Sequence, residues 1–156
     1  MAQAVVLSDC PEQTLNDIKE MFHYIEAAGG VVQAPGDHLL FIHRLGVWDL
    51  PKGKAVKDES PAQTALREVE EECGIHHITI EKKITDTYHT YELKGKTVLK
   101  RTHWYAMSVT DLQPLIPQAE EDILAAEWLG RDRLPEILQN TYPSIVEVLE
   151  AGGYMD

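Results

Sequence analysis

The segment with the strongest local signals in this sequence is PAQTALREVEEEC, over which we predict a helix at residues 61–73. Ser60 can cap the first turn, and Gln63 completes a capping-box pattern with that serine. Pro61 suits the first helical position, where no backbone N–H is required. Gly74 follows the last turn, where a left-handed residue commonly ends a helix. Because both ends carry their own signals, the sequence strongly favours a helix here.

The predicted helix has an apolar face and an acidic face. Its apolar residues fall on one stripe at about 100° per residue and should pack on a core; they are Ala62, Ala65, Leu66, Val69 and Cys73. Glu71 and Glu72 follow Glu68 by three and four residues, so the three share a different face. Such carboxylates are either a solvated acidic surface or a set of hard oxygen ligands for Mg²⁺ or Mn²⁺. The helix alone leaves both interpretations open.

The rest of the chain predicts an α/β layered domain, because strand patterns stand on both sides of the central helix. Strands are predicted near residues 4–7, 25–33, 38–43, 77–91, 97–109 and 123–129. A loop leads from the strand at 38–43 into the helix. Other helical segments are predicted over residues 14–22, 134–138 and 143–151. No linker or internal repeat divides the chain, so we predict one domain over residues 1–156.

The formal net charge of −12 argues against broad, charge-driven binding to nucleic acid or to an anionic membrane. The two cysteines, Cys10 and Cys73, argue against a disulfide framework. The first residues lack the basic region and apolar run of a signal peptide, and no stretch is long enough to span a membrane. We therefore expect a cytoplasmic protein. An acidic chain can still act on phosphates if its carboxylates hold divalent cations.

The spacing of Gly53, Glu59 and the run Arg67–Ile75 decides between the two interpretations of the acidic face. These residues follow the pattern G-x5-E-x7-R-E-U-x-E-E-x-G-U, with U an aliphatic residue, and so resemble the Nudix box at every defined position. The resemblance implies an α/β Nudix fold, an α/β/α sandwich around a mixed β-sheet with a catalytic loop–helix–loop. It also implies a metal-dependent enzyme that cleaves phosphoanhydride bonds in nucleotide-like substrates, with Mg²⁺ or Mn²⁺ as cofactor.

Three further segments resemble the family more loosely, namely Ala27–Val32, Trp48–Lys54 and Glu120–Leu129. They look like the first core strand, the segment that leads into the box, and a late loop and strand that often supply another carboxylate. Residues 1–22 lie outside the resemblance, and we predict that they form an N-terminal extension.

The family pattern implies chemical roles for the carboxylates of the box. Glu68 and Glu72, one helical turn apart, are the implied metal ligands, together with the backbone carbonyl of Gly53. Glu71 is either a further ligand or the base that deprotonates the attacking water. Glu121, or the glutamate before it, is the rival base, because a late loop supplies the base in some members.

The remaining positions of the box are implied to be structural. Arg67 can form a fork with a carboxylate and hold the catalytic loop in shape, and Glu59 is assigned a similar role. Gly74 ends the helix. Glu70, at the free position of the pattern, should be solvated, and Cys73 should lie in the core.

The substrate has to be argued from residues outside the box. The Lys94-Gly95-Lys96 turn predicts that the strands at 77–91 and 97–109 form a hairpin. Basic residues near the box and on this hairpin suit a highly charged phosphate chain; those predicted to bind substrate are Arg44, Lys52, Lys54 and Lys100. Tyr91 lies where diadenosine polyphosphate hydrolases often carry a tyrosine, and Tyr91 or Trp104 could stack on an adenine ring. Equally, Trp104 and Tyr105 can simply alternate between the two faces of a strand, and the hairpin lysines can be solvated.

A diadenosine polyphosphate or a similar compound is the preferred substrate, with nucleoside triphosphates and diphosphoinositol polyphosphates as alternatives. An RNA 5′-end pyrophosphohydrolase shares the motif, but the acidic charge fits long RNA poorly. A protein of a different class, a Nudix ligand sensor without catalysis, typically has a degenerate box, whereas this box is complete. We expect a small nucleotide or polyphosphate as partner, and neither a membrane nor nucleic acid; a homodimer stays open.

Overall fold

A seven-stranded mixed sheet is the central layer of residues 11–155, the part of the chain that the computed structural model describes. Its strands are β1 (His23–Ala34), β2 (His38–Arg44), β3 (Val47–Asp49), β4 (Lys52–Lys54), β5 (Thr79–Leu93), β6 (Lys96–Ser108) and β7 (Ile123–Gly130). The helices are α1 (Pro11–Met21), α2 (Pro61–Cys73), α3 (Leu134–Leu138) and α4 (Pro143–Ala151). Single 3₁₀ turns stand at Ala119–Glu121 and Arg131–Arg133.

The sheet is built around β1, which has partners along both of its edges. The strand order is β3-β2-β1-β6-β5, with β4 paired to β1 and β7 paired to β2. β1 runs parallel to β6, whereas the other strand pairs are antiparallel. On its other edge, β1 pairs first with β4, where Ala28 stands opposite Gly53, and then with β2, where Gln33 stands opposite Leu39. Because β4 and β2 share this edge of β1, Gly53 lies against the middle of the sheet.

Alternation along the strands divides the core into two clusters, one on each face of the sheet. On β2, Leu40 belongs to the cluster that contains Val69 of α2. Its neighbour Leu39 belongs to the cluster that contains Ile137 of α3 and Ile145 of α4. A sheet covered by helices on both faces is an α/β/α sandwich, so the predicted fold class is confirmed.

α2 begins and ends where the sequence predicts. The Ser60 hydroxyl accepts a hydrogen bond from Gln63 N at 3.2 Å, and the Gln63 side chain accepts one from Ser60 N at 2.9 Å. Gly74 adopts the left-handed conformation, with φ +70°, and its N–H donates to the Glu70 carbonyl. Of the predicted apolar stripe, Ala62 and Leu66 are only half-buried, whereas the other members are fully buried: Ala65, Val69 and Cys73.

The long strands and the other helices are confirmed to within a few residues, but the loop predicted before α2 is wrong in part. That segment contains β3 and β4, which have three residues each. A three-residue strand is too short to show a period-two pattern, and its pairing is decided by partners distant in sequence. The strand predicted at residues 4–7 and Cys10 lie outside the described residues.

No helix in the described part of the chain is long and apolar enough to cross a membrane.

Gly74→Ala should destabilise the protein more than the matched change Gly95→Ala. The two glycines have φ +70° and +78°, so alanine adds similar backbone strain at both, roughly 1 kcal/mol. A Cβ at position 74 would also lie 2.8 Å from Ile116 Cβ, whereas a Cβ at position 95 meets nothing within 4 Å. Urea unfolding should give a loss of about 1 kcal/mol for Gly95→Ala and about 2–3 kcal/mol for Gly74→Ala. Equal losses would contradict the contact with Ile116.

Candidate active site

The three box carboxylates on α2 differ in burial because they lie at different angles from its buried stripe. At about 100° per residue, Glu72 lies about 20° from Ala65, Glu68 about 60° and Glu71 about 120°. Exposure follows the same order: Glu72 is 6% exposed, the Glu68 side chain 14% and the Glu71 side chain 47%. The acidic residues therefore do not form one evenly solvated face, because the helix carries Glu72 into the edge of the core.

Glu72 is a buried carboxylate held by the backbone of β4. Its Oε2 accepts a hydrogen bond from Lys52 N at 3.0 Å. Burial raises the pKa of Glu72 to about 8, and the charge of Lys52 opposes that rise. The nearby charges of Glu68 and Asp49 raise the pKa of Glu72 further. A buried carboxylate with two acidic neighbours is a site at which a cation would stabilise the charged form.

Glu68 lies against Gly53 of β4. A Cβ at Gly53 would come within 2.1 Å of Glu68 Cδ, so the glycine allows this close approach of strand and helix. Burial raises the pKa of Glu68, and the hydrogen bond from Arg67 lowers it. The charges of Glu71 and Glu121 also raise the pKa of Glu68, which places three carboxylates within electrostatic reach of one another.

Arg67 joins the segment before α2 to the helix itself. Its Nε and Nη2 donate to the two oxygens of Glu59 at 2.7 and 3.0 Å, and Nη2 also donates to the Lys54 carbonyl at 3.0 Å. Nη1 donates to Glu68 at 2.8 Å and to Glu71 at 3.3 Å. The Arg67 guanidinium holds the pKa of Glu59 at about 2. Arg67 thus orients one cleft carboxylate while it fixes the loop.

Glu121 reaches the site because the loop before it is fastened to the end of α2. Gln118 N donates to the Glu72 carbonyl at 3.0 Å, which satisfies one of the carbonyls that have no partner inside the helix. Arg44 Nε donates to the Glu121 carbonyl at 2.8 Å. The backbone that carries Glu121 is therefore held from α2 on one side and from β2 on the other.

A cleft of about 850 Å³ gathers most of the predicted site residues, and its size suits a nucleotide-like ligand. The predicted residues that line it are Arg44, Lys52, Gly53, Lys54, Glu68, Glu72, Tyr91, Lys100, Trp104 and Glu121. The predicted residues outside the lining are Glu59, Arg67, Glu71 and Gly74. Three of these four were predicted to be structural, and Glu71 is the exception.

The basic side chains that line the cleft differ in whether they have an ion-pair or hydrogen-bond partner within the protein. Lys52 Nζ forms an ion pair with the buried Asp49. Arg44 is engaged by the Glu121 carbonyl. Among the residues whose side chains are described, Lys100 has no ion-pair partner. Burial and the charge of Lys52 lower the pKa of Lys100 to about 8. A polyanion in the cleft would stabilise the charged form of Lys100.

The two aromatic candidates have different environments. Trp104 is 1% exposed, and its Nε1 donates to the Thr87 hydroxyl at 2.8 Å. It packs in the core cluster below α4, whereas Tyr105 packs against the cluster on the other face. The two residues therefore alternate between faces, and Trp104 contributes to the floor of the cleft. Tyr91 is 36% exposed and lines the cleft.

Sequence reasoning missed several lining residues, namely Leu45, Asp49, His89, Thr90, Thr102, Tyr142 and Ser144. A signal existed for His89, which precedes Tyr91 by two residues and so lies on the same face of β5. His89 stands opposite Lys100, and in the described residues its buried Nδ1 has no hydrogen-bond partner. Tyr142 had no local signal, because only the packing of the segment before α4 brings it to the cleft.

The acidic side chains of the cleft are not arranged as a complete ligand set for a divalent cation. Among the side chains that the structure describes, no three carboxylate, imidazole or thiol groups converge on one point; Glu68 and Glu71 instead accept hydrogen bonds from Arg67. The donor chemistry nevertheless fits a hard cation, because Glu72 and Glu68 are partly desolvated carboxylates next to the backbone of Gly53.

Glu59→Gln should lower the melting temperature at pH 7, because the variant loses the charged acceptor of the Arg67 fork. The pKa of Glu59 lies at about 2, below its ordinary 4.5, so its contribution is fully present above pH 4.5 and is lost as the pH falls toward 2. The difference in melting temperature between wild type and variant should shrink over that range. Glu136→Gln is the control, because its fork with Arg133 has similar distances but lies in solvent. Equal effects of the two changes at pH 7 would contradict the prediction.

Comparisons with known proteins agree with this geometry. A family model described as NUDIX domain matches residues 23–149. The chain is 32% identical over 102 residues to a putative 8-oxo-dGTP diphosphatase 3 of Mycobacterium tuberculosis, which covers 63% of this chain and 44% of that protein. It is 33% identical over 88 residues to an RNA pyrophosphohydrolase of Brucella ovis, which covers 51% of this chain and 48% of that protein. The chain thus spans less than half the length of these curated relatives.

Among solved structures, a C. elegans Ap4A hydrolase binary complex superposes with a TM-score of 0.64 at 22% identity. The superposition covers 83% of this chain and 95% of that one. At this identity the likeness concerns the fold. Because the family match covers most of the chain and its fold recurs in a solved member, this protein belongs to the NUDIX domain family.

Proposed function

We propose that this protein hydrolyses a phosphoanhydride bond in a nucleoside polyphosphate with the help of Mg²⁺ or Mn²⁺, and that a dinucleoside polyphosphate such as diadenosine tetraphosphate is its best substrate. The observation that carries the proposal is the composition of the cleft. Glu68, Glu72 and Glu121 line the same cavity as basic side chains that can bind a phosphate chain. The curated relatives support the reaction class, since one is named a diphosphatase and the other a pyrophosphohydrolase.

Glu68 and Glu72 would hold the divalent cation, with the Gly53 carbonyl beside them. When bound, such a cation neutralises phosphate oxygens and lowers the pKa of a water that attacks phosphorus. Glu121 is the carboxylate that we assign as the base, because it lines the cleft, whereas Glu71 does not. Glu71 instead lies largely in solvent and accepts a hydrogen bond from Arg67.

The preference for a long substrate rests on the cations and aromatic rings of the cleft. Arg44, Lys52, Lys54 and Lys100 all line it. Lys52 is paired with Asp49, whereas among the described side chains Lys54 and Lys100 form no ion pair, so both can bind groups of a phosphate chain. Tyr91 and Tyr142 line the same cavity, and an aromatic side chain in the lining can stack on a base. Two such rings with cations in one cleft favour a substrate that has bases joined by several phosphates. The cytoplasmic location remains a prediction from the sequence, which leaves a homodimer open.

Product analysis with a small substrate panel tests the proposal. Purified protein with Mg²⁺ or Mn²⁺ would be incubated with diadenosine tetraphosphate, ATP, ADP-ribose and a diphosphoinositol polyphosphate. We expect the highest kcat/KM for diadenosine tetraphosphate, with ATP and AMP or two ADP as products. Fastest cleavage of ATP would indicate that a nucleoside triphosphate is the preferred substrate. Binding without turnover of any panel member would overturn the enzyme assignment in favour of a ligand sensor.

Glu72→Gln should reduce kcat by at least about 100-fold, because it removes the charge of a proposed metal ligand from a buried position. Glu70→Gln on the same helix is the control, since Glu70 occupies the free position of the box and does not line the cleft. Its kcat should stay within about twofold of wild type. Thermal unfolding of both variants would establish that they are folded. Near-full turnover by Glu72→Gln with saturating metal would refute the assignment.

A further inference from the structure

We propose that Leu45, in the turn between β2 and β3, contacts the base of the bound nucleotide and thereby contributes to substrate specificity. The inference rests on the proposed function, since it assigns a base-contacting residue to the same cleft. It concerns a residue that the sequence analysis did not single out and that the box does not contain. Leu45 lines the cleft next to Arg44.

The backbone conformation of Leu45 is unfavourable for a leucine. Leu45 and Gly46 form a two-residue hairpin turn in which both residues have positive φ, +53° and +82°. This turn type prefers asparagine or aspartate before the glycine, because those side chains tolerate the left-handed region. Among the described non-glycine residues with positive φ, Leu45 is the only apolar one.

The environment of Leu45 adds a second cost, because the residue is 67% exposed. A leucine that packed on its own protein would offset backbone strain by burial, but this side chain is mostly in solvent. Strained residues that the local structure does not require are concentrated at functional sites. The position of Leu45 on the wall of the cleft supplies a reason for both costs, since a ligand in the cleft can cover the side chain.

The second hairpin of the fold shows that the turn itself does not need a leucine. Lys94 and Gly95 connect β5 and β6 with nearly the same φ values, +52° and +78°. Lys94 is exposed like Leu45, but it is polar and does not line the cleft. Two turns with the same backbone geometry therefore contain different residues: the turn outside the cleft has the polar Lys94, and the turn at the cleft has the apolar Leu45.

The turn that carries Leu45 is held in place by the segment that carries Tyr142. Asn140 Nδ2 donates to the Gly46 carbonyl at 3.0 Å, and Trp48 N donates to the Asn140 carbonyl at 2.9 Å. The Thr141 hydroxyl donates to the Trp48 carbonyl at 2.7 Å. These bonds join the turn to the Tyr142 segment, so the backbone that carries Leu45 is held at the cleft.

The test compares Leu45→Asn with Lys94→Asn, since each change produces an asparagine–glycine turn. Both should raise the melting temperature, by about 2–4 °C, because asparagine relieves strain in the left-handed region. Dissociation constants would be measured by calorimetry with Mg²⁺ for β,γ-methylene ATP and for inorganic tripolyphosphate. Leu45→Asn should weaken binding of the nucleotide analogue about three- to tenfold and leave the base-free tripolyphosphate unchanged. Lys94→Asn should change neither constant.

Three outcomes would overturn the inference. An unchanged dissociation constant for the nucleotide analogue in Leu45→Asn would mean that the leucine does not contact the base. A lower melting temperature for Leu45→Asn would mean that the side chain packs on its own protein. Wild-type binding of the nucleotide analogue no tighter than that of tripolyphosphate would mean that the base is not recognised. A wild type that shows base-dependent binding but cleaves no panel substrate refutes the proposed function and leaves this inference standing.

Discussion

The geometry of the candidate site depends on the hydrogen bonds of the Arg67 guanidinium. It forms a two-bond fork with Glu59, binds the Lys54 carbonyl and contacts Glu68 and Glu71. A planar cation with five donors can bind several acceptors at once, which an ammonium group cannot do in a fixed geometry. The loop before α2, the end of β4 and the acidic residues of the helix are thus positioned from one side chain. Arg67 itself lies outside the cleft, so its contribution is to orient other groups.

The cleft combines opposite charges at close range in a chain whose net charge is −12. Lys52 shows how this is achieved, because its ammonium pairs with Asp49 while its backbone N–H binds Glu72. Burial then acts oppositely on the two kinds of group, raising the pKa of Glu72 and lowering that of Lys100, each to about 8. Both shifts disfavour the charged form of the group. A phosphate chain accompanied by divalent cations would supply opposite charge to each group, which makes the site complementary to such a ligand.

Local signals in the sequence predicted the central helix with its bounds, because its capping box and terminal glycine act within a few residues. Local signals did not predict β3 and β4, because the pairing of these short strands depends on residues distant in the chain. The graded burial of the acidic residues follows from helix geometry once the buried stripe is known. Their uneven exposure was nevertheless not predicted, because the apolar stripe was assigned from apolar residues alone and Glu72, which lies within it, is charged.

Local sequence patterns were enough to predict the fold class, the helix that carries the box and most of the residues that line the cleft, since the spacing of the box is a local and specific pattern. Which of these residues meet depended on the tertiary structure. It placed Trp104 in the core and Glu71 outside the cleft, and it brought Tyr142 and Leu45 to the wall of the site. These outcomes depend on strand register and on packing between segments distant in sequence, and neither is encoded in the neighbours of a residue.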